Sequence, residues 1–223
     1  MNIAKSYDFF KPEDCSETLH IIGCGAIGST LAENLVRYGL TNLVLYDFDT
    51  VESHNVANQI YTAEDIGKPK IEALAEYLYK INPELKHTIK LVNTGYTGQR
   101  LAGYVFLCVD SIELRRTIVQ KNEHNIFIKG MFDFRMRLTD AQHFAADWHD
   151  SNMIQNLLAS MDFTSEEAQR DTPVSACNLA LSVCSTVRLI VSLGVSNFIN
   201  FTKGQPIHKM ILADAFNYSV EAF

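Results

Sequence analysis

A glycine-rich turn between an apolar strand and a helix is the feature that most constrains the fold of this chain. Leu19–Ile22 is a short apolar run, and Gly23-Cys24-Gly25-Ala26-Ile27-Gly28 follows it directly. In such a strand–turn–helix unit, the first glycine permits a tight turn, the second lets backbone approach a phosphate, and the third lets the helix pack closely on the strand. Apolar residues then recur at helical spacing until Gly39, which ends the helix. The pattern predicts an anion site at a helix N-terminus.

An acidic residue at the end of the next strand strengthens this interpretation. The run Asn42–Asp49 reads as a second buried strand, and Asp47 lies 19 residues after Gly28. A carboxylate at this position can accept hydrogen bonds from ribose hydroxyls. The alternative, a turn that binds nothing, is weaker because motif, context and acid coincide. On these residues alone, a nicotinamide- or flavin-dependent oxidoreductase explains the pattern equally well.

Strand and helix patterns continue to alternate along the chain. They predict an α/β fold, with a Rossmann-like, doubly wound, mostly parallel sheet and a C-terminal mixed or antiparallel extension. We expect a single domain over 1–223, with a nucleotide-binding core at 19–130, a crossover-loop region at 131–177, and a C-terminal helix and strand at 178–223. The later elements expected are strands at His87–Val92, Tyr104–Val109, Ile126–Gly130 and Lys209–Leu212, and helices around 70–78, at Ile112–Gln120 and at Asn178–Leu193.

Composition narrows the choice of partner and compartment. The net charge is −7 and the pI is near 5.5, which argues against nucleic acid or an anionic membrane as the main partner. No stretch reaches the roughly 18 unbroken apolar residues of a membrane span, and Met1–Lys11 carries no apolar run typical of a signal peptide. We therefore expect a cytoplasmic protein. The five cysteines form no CxxC pair, so no zinc site is predicted.

Motifs after the second strand resemble those of the ThiF/MoeB family, the ATP-dependent activators of ubiquitin-like and sulfur-carrier proteins. Asp47-Phe48-Asp49-Thr50-Val51 matches the family's D-x-D-x-V, and Asn55-Val56-Ala57-Asn58-Gln59 matches N-x-x-R-Q except at its arginine. Gly67–Lys70 matches G-x-x-K, and Cys108-Val109-Asp110-Ser111 ends a strand in an aspartate and a polar residue. The resemblance covers 19–130 well. An ordinary dehydrogenase has no reason to keep the Asn–Gln and Lys pieces, so an NAD-dependent oxidoreductase becomes the weakest candidate.

The resemblance implies a chemistry and a set of roles. ATP would adenylate the C-terminal carboxylate of a ubiquitin-like or sulfur-carrier protein or a peptide, in a homodimer. Lys70 would contact phosphates, Asp110 would hold Mg²⁺, and Asp47 would take the ribose. The implied nucleotide-binding residues are Gly23, Gly25, Gly28, Asp47, Asp49, Asn55, Asn58, Gln59 and Lys70, and the implied catalytic residues are Lys70, Asp110 and Cys177.

Each of these polar residues also has a plain structural explanation. Lys70 can be a solvated helix residue, Asp110 can cap the helix that follows it, and Asn55 and Gln59 can be ordinary loop residues. Taken together, in the family's order, a function is favoured for all four.

The chain also departs from the family. Asn58 stands in place of a phosphate-binding arginine, which removes a positive charge from the predicted site. Met1–Thr18 contains no arginine, whereas many relatives carry one there. These departures raise two alternatives: a non-catalytic nucleotide-binding or scaffold protein of the same fold, or a zinc-free bacterial or phage-type branch that adenylates some other carboxylate or peptide. The cations that could replace the lost charge are Arg37, Lys68, Arg115 and Arg116.

One cysteine is a candidate nucleophile. Cys177 precedes a predicted helix, and a helix N-terminus lowers a thiol's pKa. A small buried residue at a helix start is the favoured alternative. His143 and His149 lie near Asp147 and Asp150, but their spacing is typical of no metal site, so a solvated loop is the expectation.

Overall fold

The computed structural model describes residues 1–171, 173–174 and 181–223. Strand and helix alternate through the first three strands, as the sequence predicts; no helix separates the third strand from the fourth, and a helix again separates the fourth from the fifth. The strands are β1 (Leu19–Ile22), β2 (Leu43–Tyr46), β3 (Lys90–Val92), β4 (Gly103–Leu107), β5 (Ile128–Met136), β6 (Asp140–Asp147), β7 (Met210–Asp214) and β8 (Ser219–Ala222). The α-helices are α1 (Ala26–Arg37), α2 (Lys70–Ile81), α3 (Ile112–Asn122), α4 (Ser151–Ala159), α5 (Ser165–Asp171) and α6 (Cys184–Thr202). Short 3-10 helices are Pro12–Asp14, Ser53–Ala57, Ala63–Asp65 and Pro83–His87.

The strands form one sheet in the order β3-β2-β1-β4-β5-β6-β7-β8. The first five strands pair in parallel, and β6, β7 and β8 extend the sheet in antiparallel fashion. This confirms the predicted Rossmann-like sheet with its antiparallel extension. In such a sheet the carboxyl ends of the parallel strands lie at one edge, where ligands bind.

Helices cover both faces of the sheet, which explains why β1, β2 and β4 are buried along their whole length. Alternate side chains of these strands enter two separate cores. One core contains Leu31, Leu74 and Val191, from α1, α2 and α6. The other contains Ile118 and Leu157, from α3 and α4.

The C-terminal half differs from the sequence prediction in several places. Within 131–177, expected to be a crossover-loop region, the structure shows the second part of β5, all of β6, and α4 and α5. The late helix runs over Cys184–Thr202 rather than Asn178–Leu193, and β7 is joined by β8, which was not predicted. The third strand begins only at Lys90, after a 3-10 turn. The two strands that were missed, β6 and β8, are short of large apolar residues, which leaves little hydrophobic pattern to detect.

Among the described helices, α6 is long and apolar enough to cross a membrane, by length and composition alone. Of its apolar window, 50% is buried inside the protein, and core helices commonly pass the same test.

Candidate functional site

The three glycines of the turn occupy three different steric environments. A Cβ on Gly28 would lie 1.8 Å from the carbonyl oxygen of Gly23, so only glycine lets α1 pack on the turn. Gly23 has a φ of 96°, and a Cβ there would meet the Cys108 carbonyl group at 2.8 Å. At Gly25 a Cβ would meet nothing within 4 Å. The second glycine therefore faces open space at the N-terminus of α1, where first-turn amides have no helical partner.

Asp47 fixes the glycine turn to the end of β2. Its Oδ2 accepts a hydrogen bond from the amide of Cys24 at 2.6 Å, and its Oδ1 accepts one from the amide of Asp49 at 2.9 Å. The half-buried carboxylate thus orders both the turn and the loop that follows β2. It lies at the carboxyl edge of the sheet, where the ribose role was predicted.

A buried tyrosine that sequence reasoning missed joins the turn to α2. Tyr61 Oη donates to the carbonyl oxygen of Cys24 at 2.6 Å and contacts that of Lys70 at 3.3 Å. Burial raises the pKa of the Tyr61 phenol well above its usual value, so it remains a neutral donor. No local pattern marks this residue, because both of its contacts depend on how the loop folds back.

Lys70 is buried at the start of α2, so the alternative of a solvated helix residue is wrong. Its Nζ lies 2.9 Å from Asp49 Oδ2, and its amide donates to the Asp49 carbonyl oxygen at 2.9 Å. Asp49 therefore holds Lys70 by backbone and side chain together. Since the Asp49 side chain is 52% exposed, the pair is open to solvent on the carboxylate side.

Three amide side chains in the segment 53–59 differ in their hydrogen-bond partners. Asn55 is buried, and its Oδ1 accepts from the Glu52 amide at 2.9 Å, which completes a capping box for this turn. Asn58 donates to the Oγ of Ser182, just before α6. Among the described residues, the Oε1 of Gln59 is buried and accepts no hydrogen bond. A buried acceptor without a donor is costly, so Gln59 is suited to a ligand hydroxyl or amino group.

Asp110 lies three residues after the end of β4, in the loop whose Cys108 carbonyl group would meet a Cβ placed on Gly23. It is exposed and has no ion-pair or hydrogen-bond partner among the described residues. It does not cap α3, because Ser111 does so: the Ser111 Oγ accepts from the Leu114 amide at 3.1 Å. A free carboxylate beside the glycine turn fits Mg²⁺, which takes one or two carboxylates and draws its other ligands from phosphates and water. The described residues contain no cluster of three or more His, Cys, Asp or Glu that could hold a metal unaided.

The cations proposed to replace the missing arginine are all occupied in the described part of the chain. Arg37 pairs with Glu33, Lys68 pairs with Asp65 and Glu76, Arg116 donates to the carbonyl oxygens of Met161 and Phe163, and Arg115 is buried against Asp133. Lys70 is paired as well, with Asp49, so each of these five cations has a protein partner among the described residues.

A buried charge cluster at the ends of β4 and β5 was also missed by sequence reasoning. Asp133 is fully buried between two arginines, Arg115 and Arg135. Arg135 also donates to the carbonyl oxygen and the Oγ of Ser160 after α4. The spacing of Asp133 and Arg135 places them two residues apart on a strand, but nothing local predicts that Arg115 reaches the same carboxylate.

The described part of the chain contains no established cysteine nucleophile. Cys177 lies outside the described residues. Burial raises the pKa of the Cys24 and Cys108 thiols well above the usual value, which makes them unreactive.

The expectation of a solvated loop for His143 is wrong: it is fully buried on β6, and burial lowers its pKa to about 4. Its Nδ1 contacts the Asp133 carbonyl oxygen at 3.1 Å, which leaves it no role in a surface metal site.

An open α/β sheet with a glycine turn at the carboxyl ends of its parallel strands defines a Rossmann-like fold, in which ligands commonly bind at those strand ends. Sequence comparison assigns the chain to a particular family. The ThiF family model matches residues 16–222, and the chain belongs to that family.

Curated relatives match part of the chain. The chain is 31% identical over 143 residues to ubiquitin-like modifier-activating enzyme 5 of Drosophila willistoni, a match that covers 56% of this chain and 34% of the relative. The same enzyme of Culex quinquefasciatus is 31% identical over 134 residues, covering 53% and 33%. The chain therefore spans about a third of the length of these relatives.

Two solved structures share the fold at low identity. Escherichia coli MccB, solved with ATP, has a TM-score of 0.72 at 15% identity, and the match covers 95% of this chain and 65% of MccB. PaaA has a TM-score of 0.70 at 14% identity, with coverage of 99% and 68%.

Proposed function

We propose that this protein uses ATP and Mg²⁺ to adenylate the C-terminal carboxylate of a ubiquitin-like or sulfur-carrier protein or of a peptide. The observation that carries the proposal is the meeting of three groups at one sheet edge: the open turn at Gly25, the buried Lys70 and the free carboxylate of Asp110. A glycine turn with a purely structural role would need neither the buried Lys70 nor the free carboxylate of Asp110. Membership of the ThiF family supports the same reading.

The proposed reaction is an in-line displacement at phosphorus. An oxygen of the substrate carboxylate attacks the α-phosphorus of ATP, the bond to the bridging oxygen breaks, and its electron pair leaves with pyrophosphate. No proton has to move, because the attacking carboxylate is already an anion. The residues must therefore position two anionic reactants and offset their repulsion.

The described residues divide this work. The amides at the N-terminus of α1 would bind phosphate, and Lys70 would add a positive charge once its contact with Asp49 loosens. Asp47 and Gln59 would bind sugar or base. Mg²⁺ held by Asp110 would supply further positive charge at the phosphates.

The partner class is taken from the relatives. One relative is named a ubiquitin-like modifier-activating enzyme, and MccB has been solved with ATP and with MccA. A carrier protein or peptide with a free C-terminus is therefore the proposed substrate, a homodimer is the proposed assembly, and the cytoplasm is the proposed compartment.

Exchange of labelled pyrophosphate into ATP tests the proposal, because exchange requires reversible adenylation. The assay is run with candidate carrier proteins and peptides, and with Asp110→Ala as the control variant. Exchange that depends on a carrier and is lost in Asp110→Ala supports the proposal. ATP binding without exchange on any carrier contradicts it.

A second function, nucleotide binding without chemistry, is favoured by one observation. Asn58 replaces the family arginine, and the four candidate substitutes in the described residues are occupied elsewhere. The phosphates would then lack part of the charge that offsets repulsion in the transition state. Isothermal titration with Mg-ATP, together with a negative exchange assay, would select this function.

A further inference from the structure

The guanidinium of Arg115 collects contacts from two neighbouring strand ends. It donates to the carbonyl oxygens of Leu107 at 3.4 Å and Phe134 at 2.8 Å, and to that of Val109. It also pairs with the carboxylate of Asp133, and it is buried. One side chain thereby joins the end of β4, the loop that follows it, and the end of β5.

The contact with Val109 matters because the next residue is Asp110. At the start of the loop after β4, the amide of Cys108 donates to the carbonyl oxygen of Ile22 at 2.8 Å. The Asp110 carboxylate itself has no partner among the described residues, so its position depends on the backbone that carries it. Arg115 fixes that backbone one peptide before the carboxylate.

The need to neutralise the Asp133 carboxylate does not by itself explain why Arg115 is buried beside it. Arg135 already pairs with the other oxygen of Asp133 at 2.6 Å, so the carboxylate has a charge partner without Arg115. Burying a second arginine beside one carboxylate leaves a surplus positive charge, which is costly unless its donors are satisfied. Here Nη1 donates to the carbonyl oxygens of Leu107 and Phe134 and Nη2 to that of Val109, a spread of acceptors that suits the planar, forked guanidinium better than a single ammonium.

We propose that Arg115 is a positioning residue that holds Asp110 in the place from which it binds the divalent cation of the nucleotide. The inference rests on the proposed function, since it takes Asp110 as the metal-binding carboxylate. Outer groups that orient a metal-binding residue typically change metal affinity about 10- to 100-fold when they are replaced.

Arg135 provides a matched control. It contacts the same buried carboxylate and the backbone after α4, but no contact joins it to residues 107–110 in the described structure. Arg115→Lys and Arg135→Lys each keep the charge and each disturb the Asp133 cluster. A purely structural role predicts the same behaviour from both variants.

The experiment measures metal binding apart from activity. Mn²⁺ is titrated by electron paramagnetic resonance in the presence of a non-hydrolysable ATP analogue, with nucleotide affinity measured separately without metal and folding checked by circular dichroism. We expect Arg115→Lys to weaken Mn²⁺ binding about tenfold or more at unchanged metal-free nucleotide affinity, and Arg135→Lys to leave Mn²⁺ binding unchanged. If Arg115→Lys does not fold, Arg115→Gln is measured under the same criterion.

Equal weakening in both arginine variants, or none in either, overturns the inference. So does a wild-type protein that binds no Mn²⁺ with the nucleotide. Failure of the proposed function looks different: the wild type would bind Mn²⁺ and nucleotide, respond to Arg115→Lys as expected, and still exchange no pyrophosphate with any carrier.

Discussion

Gly25 and Gly28 lie three residues apart in the same turn, yet an added methyl group should act on different properties at the two positions. At Gly28 the new Cβ would lie 1.8 Å from the Gly23 carbonyl oxygen, a backbone atom that cannot move without shifting the turn. Overpacking of this kind costs about 3 kcal/mol or more. For a chain of this size, that corresponds to a fall in melting temperature of about 10 °C.

At Gly25 the same methyl group should leave the free energy of unfolding within about 1 kcal/mol of wild type, because no atom lies within 4 Å. It would instead occupy the space in front of the α1 amides. Loss of one hydrogen bond to a charged phosphate costs about 1.5–3 kcal/mol, which corresponds to roughly 10- to 100-fold weaker ATP binding.

Urea unfolding and ATP titration of both variants test this separation. Trp148, the only tryptophan, is buried and reports unfolding by its fluorescence. We expect Gly25→Ala to be stable and defective in binding, and Gly28→Ala to be unstable. A Gly25→Ala protein that binds ATP as tightly as wild type would refute the reasoning, since the turn would then be a structural bend and not a phosphate site.

Three further predictions follow from the site and its surroundings. Asp110→Ala should abolish pyrophosphate exchange with a stability change within about 0.5 kcal/mol, whereas Ser111→Ala, which removes the helix cap, should cost about 1 kcal/mol in urea unfolding. Asn58→Arg should raise the exchange rate about tenfold if the phosphates lack positive charge; an unchanged rate would mean that another cation supplies it. Burial lowers the pKa values of His20 and His143 to about 4, so each is neutral in the folded protein and protonates more readily when unfolded. The stability they contribute is complete above about pH 6.5 and is lost as pH falls towards 4, by about 3 kcal/mol for each imidazole. Urea unfolding at pH 7 and pH 4.5 should show the loss, and a His143→Gln variant should show a smaller one.

The sequence by itself determined the parallel core and the order of its motifs. The glycine turn, the apolar runs and Asp47 are local patterns, and local patterns follow from the backbone geometry of a few consecutive residues. The same holds for the open position at Gly25, since the spacing of the glycines assigns each its steric role. Within 131–177, β6 and α4 were not predicted, because β6 carries few large apolar residues and α4 is only nine residues long.

The tertiary structure alone decided how the polar residues of the site are paired. Lys70 meets Asp49, Asn58 meets Ser182, and Arg115 meets Asp133, across 21, 124 and 18 residues of chain respectively. Each pairing depends on which strands are neighbours and where their loops turn back, and no short stretch of sequence encodes that. The identity of a charged residue is visible in the sequence, but its partner is set by the packing of the whole sheet. For that reason the glycine turn could be predicted, while the hydrogen-bond and ion-pair partners of the candidate cations could not.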